Sequence, residues 1–312
     1  MVQKNSIENP KILIVCGPTA SGKTDLAVEL AKLLDSEVIS ADSMYIYKGL
    51  NIGTAKPTLE EMQGIKHHLI DIIEPDESFS VSDYKLKAEP IISDLISKGK
   101  IPIICGGTGF YINSILYDLS YGNGECNLEV RNKYLKMALE KGNQAVFDIL
   151  TKVDKETAKK LHPNDIKRVI RALEIYENGT KKSDIVDELK PKYDYKAFSI
   201  NHDREVLYDR INRRVDLMID NGLLDEVKKV FDKGINSSHQ SMQAIGYKEF
   251  FEYFNGESSL EEVKEKIKLS SRHYAKRQIT FFKRLENLIL LQPSSAKELA
   301  QKIVKDYYND WH

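Results

Sequence analysis

The chain has 312 residues, enough for a core domain carrying an insertion or for two compact units, and its 41% hydrophobic content can fill a sizeable core. Charged residues make up 30% and the formal net charge is −1, which excludes a polycation that coats nucleic acid indiscriminately; any nucleic-acid site must be a local patch. Cys16 and Cys105 lie in apolar runs and Cys126 in a polar segment, and with neither metal spacing nor a disulfide framework they read as reduced thiols of a cytoplasmic protein. Nothing near Met1 reads as a signal peptide and no apolar run approaches the ~18 residues of a membrane span, so no membrane role is expected.

The apolar run 12–16 reads as a buried strand. It leads into Gly17, Pro18, Thr19, Ala20, Ser21, Gly22, Lys23 and Thr24, which fill the spacing G-x-x-x-x-G-K-[ST], and a helical pattern follows over 25–34. Strand, loop and helix in that order make a phosphate cradle. The glycines let backbone N–H groups turn around an oxyanion, the helix points its positive end there, Lys23 adds a charge and Thr24 offers a hydroxyl to Mg²⁺. Further strand candidates at 37–41, 68–72, 101–105, 197–200 and 288–291 alternate with helical segments. Those segments are signalled by a capping box at Thr58 and Glu61, an N-cap at Ser80 with Asp83 three residues on, and a stop at Gly99. Alternation of this kind predicts an α/β fold of P-loop NTPase type, with a mostly parallel sheet flanked by helices.

From about 121 to 193 no convincing strand is found, and short amphipathic helices are punctuated by Gly142, Pro163, Gly179 and Pro191. The expected organisation is therefore a P-loop core over 1–120, an inserted helical domain over 121–193, and a return to the core over 194–312. The returning part is expected to hold helices at 203–220, closed by Asn221 and Gly222, at 225–231 and 242–254, and a long one over 259–285.

Asp42 follows the second strand and so sits at the carboxyl edge of the sheet, where open α/β folds bind ligands. It reads either as a magnesium ligand or loop cap, or as a general base facing an acceptor. Ser43, Met44, Tyr45, Ile46 and Tyr47 continue with polar and aromatic groups that suit a flat acceptor such as a nucleobase. Gly106, Gly107, Thr108 and Gly109 stand where a Walker B strand would end in a carboxylate; they read as a close approach to a ligand or as a tight, packing-driven turn. Arg210, Arg213 and Arg214 share a helix with Asp209 and Asp216, either as a solvated face or as a diphosphate contact. Lys167, Arg168 and Arg171, and the segment 264–284 with eight Lys or Arg against one Glu, are candidate nucleic-acid patches or solvated helix faces.

The ordered set resembles the tRNA dimethylallyltransferase family over about residues 10–291. It comprises the phosphate loop, Asp42-Ser43 with Tyr45 and Tyr47, Asn51-Ile52-Gly53-Thr54-Ala55-Lys56-Pro57, and Gly106-Gly107-Thr108-Gly109. It continues with His162-Pro163-Asn164-Asp165 with Arg168 and Arg171, Ser241-Met242 with Gly246-Tyr247, and Lys276-Arg277-Gln278. The resemblance implies that the loop holds the diphosphate of dimethylallyl diphosphate, and that the prenyl group moves to the exocyclic amine of the adenosine 3′ to the anticodon in the tRNA anticodon stem-loop. It implies Asp42 as general base, Lys23, Thr24 and Arg214 on the leaving group, and Mg²⁺ at Thr24. Asp42, Ser43, Met44, Tyr45, Thr108, Lys167, Arg168, Val169, Ile170, Arg171, Ser241, Met242, Gly246 and Tyr247 are implied on tRNA. Eukaryotic members of the family usually carry a C-terminal zinc finger, and the residues up to His312 hold no set of Cys and His for one, so the likeness is to the short bacterial form, expected as a monomer.

The residues agree with that chemistry. An adenine amine is a poor nucleophile, so the allylic carbon must be made electrophilic by loss of diphosphate, and stabilising the departing charge is the main demand on the site. A small-molecule or nucleotide kinase, or a P-loop RNA-binding ATPase, would use Lys23 and Thr24 similarly on ATP; the missing carboxylate after 101–105 counts against both.

Overall fold

In the computed structural model, residues 9–119, 127–185, 188–308 and 311 are described. The chain forms two compact units, one of Met1–Leu116 with Pro191–His312 and the other of Tyr117–Lys190. The expected insertion start at Tyr121, and Cys126, lie outside the described residues.

The first unit opens with β1 (Lys11–Cys16), whose residues are buried from Ile12 onward, as befits a strand covered on both faces. The phosphate loop links it to α1 (Lys23–Leu33). There follow β2 (Val38–Ser40), α2 (Leu59–Met62) and β3 (His67–His68). Next come α3 (Val81–Ser97), β4 (Ile103–Gly106) and α4 (Gly109–Leu116). The capping boxes at Thr58 and Glu61 and at Ser80 and Asp83 form as their spacing predicts. The expected strand 68–72 shrinks to β3 because Leu69 and Asp71 take positive φ, 61° and 54°, which turns the chain out of the sheet.

The second unit holds β5 (Tyr117–Asp118), α5 (Leu128–Lys141), α6 (Asn143–Val153), α7 (Lys155–Ala158) and α8 (Ile166–Glu177) around a core of Val146, Leu150, Val169, Ile170 and Leu173. It is not strand-free: β6 (Glu188–Pro191) pairs with β5. The segment Glu-Leu-Lys-Pro is only four residues long, holds no β-branched or aromatic residue and ends in Pro191, so it carries little strand signal.

On return the chain gives β7 (Asp194–Ile200), α9 (Arg204–Asp220), α10 (Leu223–Asp232), α11 (Phe250–Phe254), α12 (Leu260–Phe282), β8 (Leu288–Leu291) and α13 (Ala296–Ile303). The expected helix 242–254 is mostly irregular: a short turn of 3₁₀ helix at Ser241–Gln243 is followed by Gly246 at φ 94°, and only Phe250–Phe254 is α-helical. The sheet order β3-β2-β4-β1-β7-β8 is parallel throughout. Leu26 and Leu30 of α1 and Leu299 and Ile303 of α13 cover one face against Leu13, Val15 and Phe198. Near the carboxyl edge, Leu207 and Ile211 of α9 pack on Ala275 and Ile279 of α12 with Ala20 of the phosphate loop alongside, so the two long helices meet the loop. No described helix is long and apolar enough to cross a membrane.

Candidate active site

The phosphate loop closes on α1 through Gly22, whose φ of 90° is left-handed and free of Cβ strain only in glycine. Its carbonyl oxygens are taken by protein donors: Arg210 Nε donates to Ala20 O at 2.8 Å, Lys23 Nζ to Pro18 O at 3.3 Å, and His202 Nε2 lies 2.9 Å from Ser21 O. Those carbonyls are thus satisfied within the protein, and Ala20, Ser21 and Gly22 of the loop, together with the first turn of α1, line a cavity of about 380 Å³. Lys23, Thr24, Arg210, Arg213 and Arg214 line it against Asp25 and Glu61, an anion site with cations in excess. Burial disfavours the charge on Lys23 and lowers its pKa. One expected donor is spent elsewhere, because Thr19 N–H donates to Gln278 Oε1 at 2.9 Å.

A second cavity of about 390 Å³ shares Lys23 and Tyr45 with the first, and Thr19, Asp42, Ser43, Tyr274 and Gln278 form its polar part while Met44, Met218, Ala244, Ile245 and Ile267 are apolar. Asp42 is half-buried and lines this space, and its Oδ1 accepts from Met44 N–H at 2.9 Å. Loss of water on burial pushes its carboxyl above the ordinary aspartate range, and the Met44 N–H and the Lys23 and Arg214 charges offset this only in part. Ser43 N–H donates to Thr108 Oγ1 at 3.0 Å and Thr108 N–H to Ala41 O at 3.0 Å, so the residue after β4 steadies the segment that carries Asp42. Tyr274 lies beside Thr108 and Gln278, and burial raises its hydroxyl to about 12. The glycines from the end of β4 to the start of α4 serve packing: a Cβ on Gly106 would lie 2.1 Å from Ala41 O, on Gly107 2.1 Å from Gln278 Nε2, and on Gly109 2.1 Å from the Phe281 ring. Gln278 is buried and bridges the two loops, since its Nε2 donates to Gly107 O at 3.0 Å.

Arg214 spans from the phosphate loop to the segment 51–57. Its Nη1 donates to Thr19 Oγ1 and its Nη2 to Ala55 O, both at 3.2 Å, and Tyr45 Oη donates to the same Ala55 O at 2.8 Å. Tyr45, expected on an acceptor, is thus largely committed to holding this segment. Arg213, at the open side of the first cavity, pairs with Asp209 and has its side chain 77% exposed.

The expected residues divide sharply. Gly17, Pro18, Thr19, Ala20, Ser21, Gly22, Lys23, Thr24, Asp42, Ser43, Met44, Tyr45 and Arg214 gather at the carboxyl end of β1 and β2, with Thr108 behind Ser43. Ser241, Met242, Gly246 and Tyr247, expected on tRNA, are buried in this chain. Ser241 and Met242 are wholly buried, Ser241 Oγ donates to Pro75 O at 2.6 Å, and Gly246 N–H donates to Glu249 Oε2 at 2.9 Å. Tyr247 is buried with its hydroxyl on Glu226 Oε1 at 2.6 Å. In that stretch it is Gln243, Ala244, Ile245 and Lys248 that line the cavity. In the second unit Val169 and Ile170 face the core; Lys167 and Arg168 are exposed, and Arg171 Nη1 donates to buried Glu174 at 2.6 Å. The basic helix α12 is also more neutral than its composition implies, because Lys264 and Lys268 pair with Asp216, and Lys266 with Glu252. Gln278 was legible only as part of the Lys276-Arg277-Gln278 motif, and Tyr274 as one aromatic of a basic helix. Glu226 carries no sequence signal, resembling any acid on an amphipathic helix.

Among the described residues no group of three His, Cys, Asp or Glu could by itself hold a metal ion. The donor set fits Mg²⁺ in its usual phosphate-bound form, in which substrate oxygens and water supply most ligands and one or two protein oxygens suffice; Thr24 lines the anion cavity and Asp42 the adjoining one.

The model of the family described as IPP transferase matches residues 45–285. A tRNA dimethylallyltransferase of Thermoanaerobacter sp. (strain X514) is 52% identical over 279 residues, covering 88% of this chain and 89% of that protein. The full-length tRNA isopentenylpyrophosphate transferase of Bacillus halodurans superposes with a TM-score of 0.71 at 40% identity, covering 98% of this chain and 100% of that one. A eukaryotic dimethylallyltransferase acting on tRNA superposes with a TM-score of 0.81 at 30% identity, covering 96% of this chain and 77% of the other. A match that takes in both cavities, the segment 51–57 and the second unit leaves one conclusion: this chain belongs to the IPP transferase family.

Proposed function

We propose that the protein transfers the dimethylallyl group of dimethylallyl diphosphate to the exocyclic amine of the adenosine 3′ to the anticodon in the tRNA anticodon stem-loop, releasing diphosphate, and that it works as a cytoplasmic monomer. The observation that carries this is the adjoining pair of cavities: a cationic one at the phosphate loop and a mixed apolar and polar one holding Asp42, with Lys23 and Tyr45 common to both. An allylic diphosphate has that same division between anion and short hydrocarbon.

The allylic C–O bond breaks with its electron pair leaving on the diphosphate, and Lys23 and Arg214, which line the cationic cavity, stabilise that charge together with N–H groups of the loop. The amine lone pair forms the new C–N bond, and the amine, acidified as the bond forms, gives its proton to Asp42. A carboxylate with a raised pKa is the better acceptor for that step. Mg²⁺, held through Thr24, would supply further countercharge to the diphosphate. The adenosine must leave its stack to reach Asp42, which favours an exposed loop at a cost of a few kcal/mol.

Unmodified tRNA incubated with either dimethylallyl diphosphate or ATP, then digested to nucleosides and weighed, tests the proposal. Prenylated adenosine is expected with the first donor alone. ATP turnover with no prenylated nucleoside would overturn it in favour of a kinase or ATPase.

A further inference from the structure

Glu226, on α10, is remote from the phosphate loop in sequence and half-buried, yet its carboxylate collects four donors. Asn51 N–H reaches Oε2 at 2.9 Å, Ile52 N–H reaches both oxygens at 2.9 and 3.0 Å, Gly53 N–H reaches Oε1 at 3.0 Å, and Tyr247 Oη donates to Oε1 at 2.6 Å. Successive backbone N–H groups converging on one oxyanion form a nest, and such charge-assisted bonds are about twice as strong as neutral ones. Gly53 is further confined by the Tyr247 ring, which would stand 2.5 Å from a Cβ at that position.

The segment so clamped leads to Ala55, whose carbonyl oxygen accepts from Arg214 Nη2 and from Tyr45 Oη. Ala55 itself has φ 54°, a conformation that a non-glycine residue holds only when its surroundings enforce it. The other end of the guanidinium is on Thr19 in the phosphate loop. Arg214 is therefore suspended between two loops, and Glu226 fixes one of them.

We propose that Glu226 is a positioning residue: by holding residues 51–53 it sets the Ala55 carbonyl, and through it the direction in which Arg214 presents its guanidinium to the diphosphate. This rests on the proposed role of Arg214 at the anion site. Deleting Arg214 should then make Glu226 irrelevant to diphosphate binding, whereas a purely structural Glu226 would act independently of Arg214.

The test is a double-mutant cycle of Glu226→Gln and Arg214→Ala, read by calorimetric affinity for inorganic diphosphate and by donor KM and kcat with tRNA. The glutamine keeps the size and one acceptor oxygen but turns an N–H₂ toward backbone donors. In the Arg214 background Glu226→Gln should weaken diphosphate and raise donor KM by about tenfold, with tRNA affinity unchanged. In the Arg214→Ala background it should add almost nothing. Tyr247→Phe, which removes one of the four donors and keeps the fold, should give a smaller loss with the same dependence on Arg214. Equal losses in both backgrounds would overturn the positioning role. If Arg214→Ala left diphosphate affinity unchanged, the assignment of Arg214 to the anion site would fall instead, and the proposal with it.

Discussion

At the scale of single residues, the distinction is between groups that face the cavities and groups that hold those groups still. Asp42 belongs to the first. Its carboxyl is raised by burial, so the cost of ionising it in the fold is absent below the ordinary aspartate range, ~3.9, and fully present above the folded-state value; stability is lost as pH rises through that window. Asp42→Asn should consequently slow single-turnover transfer by about 10²-fold or more while leaving donor affinity intact and raising the neutral-pH Tm slightly. The acid limb of kcat in the unaltered enzyme should lie above the range of an exposed aspartate. Rescue of the variant by excess Mg²⁺, with weakened donor binding, would make Asp42 a metal ligand instead. Asp42 was legible because a strand pattern ends at it. The roles of Gln278 and Glu226 were not, since they lie in which distant N–H and C=O groups meet them, at Thr19 and Gly107 for one and Asn51 to Gly53 for the other.

At the scale of elements, α8 shows how one short run of basic residues is divided between surface and core. Lys167 and Arg168 project to solvent, whereas Arg171 joins Arg131 on Glu174, which is fully buried and also accepts from Asn127 N–H at 2.7 Å. Burial raises the Glu174 carboxyl, but the hydrogen bonds from Arg171, Arg131 and Asn127 outweigh it and hold the pKa below the ordinary glutamate range. Its stabilisation is therefore present above the unfolded value and lost as pH falls through the folded one. Under the proposed function, Lys167→Ala with Arg168→Ala should reduce the salt slope of tRNA binding by about one for each phosphate no longer neutralised, with stability unchanged. Glu174→Ala should destabilise its unit by about 1–2 kcal/mol, less than for a fully buried pair because the two arginines it leaves are about a third exposed. An unchanged salt slope in the double variant would make the patch an ordinary solvated face. Periodicity placed α8 correctly but could not separate these roles, because the burial of Glu174 depends on Arg131 and Asn127, which belong to another helix and its cap.

At the scale of the whole molecule, the alternation of apolar runs made the parallel sheet legible, along with the place of the phosphate loop on it. What escaped was the irregular chain 241–249 and two short elements, the four-residue β6 and the eight-residue helix α13, which buries Leu299, Ala300 and Ile303 and whose capping box at Ser295 and Glu298 is plain once the helix is known. The two compact units each have a core of their own, one built on the sheet and the other around Leu150, Val169 and Leu173, so a single unfolding free energy does not describe the chain. A ligand stabilises only what binds it, by RT ln(1 + [L]/Kd), about 2.7 kcal/mol at a hundredfold excess over Kd. Inorganic diphosphate with Mg²⁺ should therefore slow amide exchange in β1, α1, the segment 51–57 and α9 of the full chain, and leave α5, α6 and α8 unprotected. Glu174→Ala should do the converse, speeding exchange in α5 and α8 while the diphosphate-dependent protection of α1 persists. Protection of α8 by diphosphate as strong as that of α1 would refute separate behaviour and mean that the anion site and the second unit open together as one cooperative body.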